Sequence, residues 1–172
     1  MSAKSKLVLG LLVFIVFLDQ LSKFIVDRTM PLHHSIPVIE NFFSLTYIRN
    51  TGAAFGILAE SAASFRLPFL VLFSLLAIGL IGMMLRRLPE GEKGLITALT
   101  FILGGAIGNL VDRVVYGEVI DFLDFYWRQF HWPAFNFADS FISVGVMITF
   151  YYLVRSKGDD PFSLVKDRTS SS

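Results

Sequence analysis

The chain has 172 residues, 54% of them hydrophobic and only 17% charged, with 18 Phe and a mean hydropathy of +0.63. A soluble domain carries roughly 25% charge, so the lipid bilayer is the expected solvent. Cysteine is absent, which excludes disulfides, thiolate nucleophiles, Cys-ligated zinc, iron–sulfur clusters and Cys-linked lipid anchors, and a net charge of +1 without a nucleic-acid motif sets nucleic acid aside.

Crossing the hydrocarbon takes about 20 mostly apolar residues, and four stretches meet that length. The first covers residues 7–26. Lys4 and Lys6 ahead of it resemble the start of a secretory signal, but the run continues past Asp19 through LSKFIV without a small-residue cleavage site, so a retained span is expected. Asp19 and Lys23 stand four apart in the favourable order for an ion pair. Residues 36–58 follow, rich in β-branched and aromatic side chains and containing Asn50-Thr51-Gly52, which predicts short strands around a turn. The second span, residues 67–85, holds no charge at all. A third covers 94–115 and ends in GNLVDRV, with Asp121 just beyond it. Residues 122–133 mix six aromatics with Asp124, Arg128 and His131, the composition of a segment at the headgroup level. The fourth span, 137–154, closes at Arg155 and Lys157, and residues 155–172 form a polar tail.

Residues 1–6, 86–93 and 155–172 hold nine of the 15 basic residues. By the positive-inside rule both termini are cytoplasmic, and residues 28–66 and 116–134 face the opposite side, the periplasm in a bacterium. The expected architecture is an all-α polytopic membrane protein: four transmembrane helices in one domain over residues 1–154, with a small periplasmic β-like cradle and an interfacial segment.

Ionisable groups inside spans are expensive and are functional candidates by default. At 1.5 Å per residue, Asp19, Asp112 and Asp139 all fall in the outer half of the bilayer, with Asp121 beside them. Gly105, Asn109 and Asp112 share one helical face, and Gly104 and Gly108 form a small-residue stripe for close helix approach. Asn136 and Asp139, three apart, also share a face. Asp139 has no basic residue within fifteen positions on its C-terminal side, so it needs a partner from another segment or a proton.

Two carboxylates in contact can share one proton, one acting as base toward water while the other donates to a scissile carbonyl. Other constellations lack the parts. A Ser–Lys dyad would have to use Lys23, which Ser22 does not face on a helix, and His33, His34 and His131 form no HExxH-type metal set. No metal or cofactor is expected.

Three segments, Gly108-Asn109-Leu110-Val111-Asp112-Arg113, Gly117-Glu118-Val119-Ile120-Asp121-Phe122 and Phe135-Asn136-Phe137-Ala138-Asp139-Ser140, together resemble the signature of the lipoprotein signal peptidases (signal peptidase II). Upstream, Asp19-Gln20-Leu21-Ser22-Lys23 and Asn50-Thr51-Gly52-Ala53-Ala54-Phe55-Gly56 resemble that family's first two motifs. The resemblance implies an aspartyl endopeptidase of the bacterial cytoplasmic membrane that cuts lipid-modified prolipoproteins just before the diacylglyceryl-bearing cysteine. It implies Asp121 and Asp139 as the catalytic pair, Asn50, Asn109, Arg113 and Asn136 as residues holding substrate main chain or lipid, and Asp19, Lys23 and Asp112 as supporting residues. Asp112, beside Arg113, is expected to be an ionised structural carboxylate rather than a member of the pair. The partners so implied are lipidated prolipoproteins and membrane lipid, and the protein is expected to be a monomer. The alternative, a small proton- or solute-coupled carrier using the same carboxylates as a relay, is disfavoured by the absence of internal repeats and of midplane charges.

Overall fold

A computed structural model of the chain describes residues 1–52 and 62–155. Four helices are long and apolar enough to cross a membrane: α1 (Ala3–Thr29), α2 (Ala63–Arg87), α3 (Lys93–Tyr116) and α4 (Phe137–Arg155). They extend the four apolar runs by a few residues at most ends, because the flanking polar residues continue the helical ladder into the headgroup region. Of the polar tail, only Arg155, at the end of α4, lies within the described residues.

α3 is the hub. Over half of its spanning window (56%) is buried, against 17% or less in each of the others, because α1, α2 and α4 all pack on it. The glycines make this possible. A Cβ at Gly105 would stand 2.3 Å from the Ala138 carbonyl oxygen of α4, and one at Gly108 would stand 2.5 Å from the Asp19 carboxylate of α1. The Gly104–Gly108 stripe read from the sequence thus faces α1, where a Cβ at Gly104 would stand 2.9 Å from Ile15, while Gly105 beside it admits α4, so any side chain at these positions would push α1 or α4 off the hub.

An antiparallel sheet caps the end of the bundle where α1 and α3 finish, built from β1 (Ser35–Ile39), β2 (Phe43–Asn50), β3 (Val119–Trp127) and β4 (Phe130–His131) in the order β1-β2-β3-β4. Gly117, at φ 79°, ends α3 in the left-handed conformation that only glycine adopts without strain, and turns the chain straight into β3. Two details differ from the sequence expectation. The β1–β2 turn falls at residues 40–42, where Asn41 takes a positive φ of 60°, and Asn50-Thr51-Gly52 lies instead at the exit of β2. The aromatic segment 122–133 is largely the third and fourth strands of this sheet. Its Asp124 accepts from Thr46 (3.1 Å) and pairs with His131 Nδ1 (2.9 Å), which ties β2, β3 and β4 together. Ala53, Ala54, Phe55 and Gly56 of the second motif lie outside the described residues.

Candidate active site

The sheet and the hub place the polar residues at one level. Asn136 precedes α4 and accepts from the Asp139 backbone N–H (2.9 Å), while Asp139 accepts in return from the Asn136 N–H (3.3 Å). This reciprocal box satisfies two donors that a helix start leaves open, and it fixes the Asp139 carboxylate in the first turn of α4. Asp121 stands on β3 directly after Ile120, whose backbone N–H donates to Asp112 Oδ2 (3.2 Å).

Three amides then connect the two carboxylates. Asn136 Nδ2 donates to Asp121 Oδ1 (2.8 Å), Asn109 Nδ2 to Asp139 Oδ1 (2.8 Å), and Asn50 Nδ2 to Asp121 Oδ2 (2.9 Å). The Asn50 carbonyl oxygen accepts from the Gly52 N–H (2.9 Å), a side-chain turn that holds the amide toward β3. Arg113 donates to the carbonyl oxygens of Gly52 and Asn109, both at 3.2 Å, so its guanidinium joins the β2 exit to the hub.

Asp121 and Asp139 open on one cavity of about 490 Å³, shared with Asn50, Asn109 and Arg113 and bounded on its apolar side by Trp132 and Phe135. Asp121 is only 2% exposed. Burial first, and then the charge of Asp139, push its carboxyl from the ordinary 3.8 up to about 7.

Asn136, expected to contact substrate, is fully buried and stands behind the cavity wall as a brace between the two carboxylates. Asp19, Lys23 and Asp112 form a separate layer on the α1 side. Lys23 Nζ lies 2.8 Å from Asp19, 2.9 Å from Asp112 and 3.0 Å from the Asn109 oxygen. The expected Asp19–Lys23 pair is present. The cation of Asp112, however, is Lys23 and not the neighbouring Arg113, because residues one apart on a helix point in different directions. Two contributors escaped the sequence reading. Gln20 Nε2 bridges Asp19 (3.2 Å) and Asp112 (2.8 Å). Arg49 pairs with Asp27 of α1 (2.6 Å) and donates to Tyr47 (2.6 Å), anchoring the strand that carries Asn50. An amide beside an intramembrane Asp was the available signal for Gln20; Arg49 had none, since its partner lies 22 residues away.

Residues 11–155 match the family model described as Signal peptidase (SPase) II. The chain belongs to the signal peptidase II family. The lipoprotein signal peptidase of Geobacter sulfurreducens is 52% identical over 150 residues, covering 87% of this chain and 90% of that one. The enzyme of the same name from Nitratidesulfovibrio vulgaris is 44% identical, covering 90% and 93%. A solved bacterial membrane enzyme, determined in meso at 2.3 Å, superposes with a TM-score of 0.79 at 31% identity over 88% of this chain and 89% of its own. The chain is thus a peptidase and a multi-pass protein of the bacterial inner membrane. The carrier alternative finds no support among these relatives.

Proposed function

We propose that this protein works as an aspartyl endopeptidase on lipidated prolipoproteins, with Asp121 and Asp139 as the catalytic pair. The observation that carries the reading is that both carboxylates open on one cavity while Asn136 braces them from behind. Asp121, with its carboxyl raised to about 7, holds the shared proton, and Asp139 is the base. Asp139 takes a proton from water, the water oxygen attacks the scissile carbonyl carbon, and Asp121 donates to the carbonyl oxygen. When the diol collapses, the C–N bond breaks, the leaving nitrogen takes the proton from Asp139, and Asp121 recovers its own from the diol. Asn50 and Arg113 stand on the cavity wall where they can hold substrate main chain, and Asn109 orients Asp139.

The substrate is bound by its diacylglyceryl group in the outer leaflet, so that lipid contacts bring the cleavage bond, just before the modified cysteine, to the pair. The protein acts as a monomer, with one catalytic domain over residues 1–154. Purified protein incubated with a lipidated prolipoprotein is expected to release the signal peptide, to leave the unlipidated precursor uncut, and to keep its activity in a metal chelator. Equal cleavage of both precursors, or loss of activity to the chelator, contradicts the reading.

The excess of Lys and Arg at one end of the bundle supports cytoplasmic termini and a periplasmic site. Reporter fusions at Gly91 and Asn41 are expected to report opposite sides, cytoplasmic for Gly91. The same side for both overturns the arrangement.

A further inference from the structure

At the end of the bundle opposite the sheet, α1 and α2 both pack on α3 but barely on one another. The gap between them is a cavity of about 690 Å³. Its walls change character with depth. Ser2, Lys4, Ser5 and Arg86 stand at the mouth, and Val8, Leu9 and Leu12 of α1 descend facing Gly82 and Leu85 of α2, with Leu103 of α3 also lining it. From Ser5 to Leu12 that is roughly 10 Å along the helix, a polar rim above an apolar trough in the leaflet that holds the N-terminus.

The rim is cationic. Lys4 Nζ donates to the carbonyl oxygens of Leu88 (2.5 Å) and Arg86 (3.3 Å), neutral acceptors that leave its charge uncompensated. The Arg86 guanidinium has no partner among the described residues. Among the described residues Glu90 is the one carboxylate that lines the rim, so two cations face one anion there. A headgroup with a net negative charge complements that balance, and a zwitterionic one does not.

We propose that this cleft binds one anionic glycerophospholipid, its phosphate at Lys4 and Arg86 and an acyl chain against Leu9, Leu12 and Gly82. It is distinct from the catalytic cavity: Lys4 and Asp19 are separated by roughly 22 Å along α1, so a substrate lipid in the other leaflet does not reach it.

Gly82 supplies the test, because a Cβ there meets nothing within 4 Å and the position lines the cleft. Gly10 is equally open but does not line the cleft. The full chain is equilibrated in detergent with equal amounts of phosphatidylglycerol and phosphatidylcholine, and bound lipid is counted by native mass spectrometry. Wild type is expected to retain one phosphatidylglycerol in preference to phosphatidylcholine. Arg86→Gln, an exposed substitution that leaves packing intact, is expected to weaken retention about fivefold, the effect of one cation near a headgroup. Gly82→Phe should abolish the preference and Gly10→Phe should keep it. Equal retention of the two lipids by wild type overturns the proposal, as does a preference that survives both Gly82→Phe and Arg86→Gln.

Discussion

Asp121→Asn and Asp139→Asn are each expected to lower turnover at least about 10³-fold while leaving folded, membrane-inserted protein. Asparagine keeps the shape and accepts a hydrogen bond, but it cannot carry a proton between water and the scissile carbonyl. The pH profile adds a second measurement. Asp121 must be protonated to act as the acid, so the wild-type rate is expected to fall as pH rises through about 7. Asn50 donates to the Asp121 carboxylate and so favours its charged form. Asn50→Ala should therefore move that alkaline limb upward, whatever it costs in substrate binding. Turnover retained in Asp121→Asn, or a limb that does not move in Asn50→Ala, contradicts the assignment.

The same substitution carries a stability consequence of opposite sign. A carboxyl whose folded value lies above its unfolded one contributes its full stability only below the ordinary carboxylate range, and that contribution disappears as pH rises to the folded value. For Asp121 the window runs from 3.8 to about 7, a difference on the order of 4 kcal/mol. Asp121→Asn removes this penalty. Its melting temperature relative to wild type should rise between pH 5 and pH 8.5, so the variant that loses catalysis becomes the more stable protein in alkali. A gap that is the same at both pH values argues that the buried carboxyl is not the source.

What the sequence could reveal follows from which forces are local. A span announces itself because its hydrophobicity must be continuous over roughly 30 Å, and the Gly104–Gly108 stripe because helical period alone sets which residues share a face. Depth was equally legible, since rise per residue converts position into height, and this is why Asp19, Asp112, Asp121 and Asp139 could be placed near one level before any contact was known. The rotation of one helix against another is not written in any single helix. The sequence therefore offers Arg113 as the cation of Asp112, while the true cation arrives from α1. β3 hid for a related reason. Its first four residues, Val119–Phe122, are all buried, without the alternation that marks a half-exposed strand, because the sheet is covered by helix ends on one side and bears the cavity on the other. The Asn-Thr-Gly signal was a real turn, but one that aims the Asn50 amide at Asp121 rather than joining two strands of a hairpin.

The Lys23 layer gives the largest expected effect on stability. Lys23 is 1% exposed, and Asp19 and Asp112 are both fully buried. One cation serves two buried carboxyl groups, and the cluster is tolerable because Lys23 touches both acids and Gln20 donates to both. Lys23→Met leaves two buried carboxylates without a cation, at a cost of about 3–5 kcal/mol for breaking such a group by removing one member. Asp112→Asn removes one of the two carboxyl groups instead and keeps an oxygen that can accept from the Ile120 N–H. It should cost about 1 kcal/mol, within the usual range for a single weakened hydrogen bond, and retain residual cleavage. If the Lys23→Met defect is electrostatic, adding Asp19→Asn and Asp112→Asn should restore much of the lost melting temperature, because the three sites couple through direct contact. If the defect lies in packing, the triple variant should melt no higher than Lys23→Met alone. Activity should not return with stability in either case. Lys23 also donates to the oxygen of Asn109, whose amide holds Asp139, so the restored fold would present the Asp139 carboxyl without the group that turns Asn109 toward it.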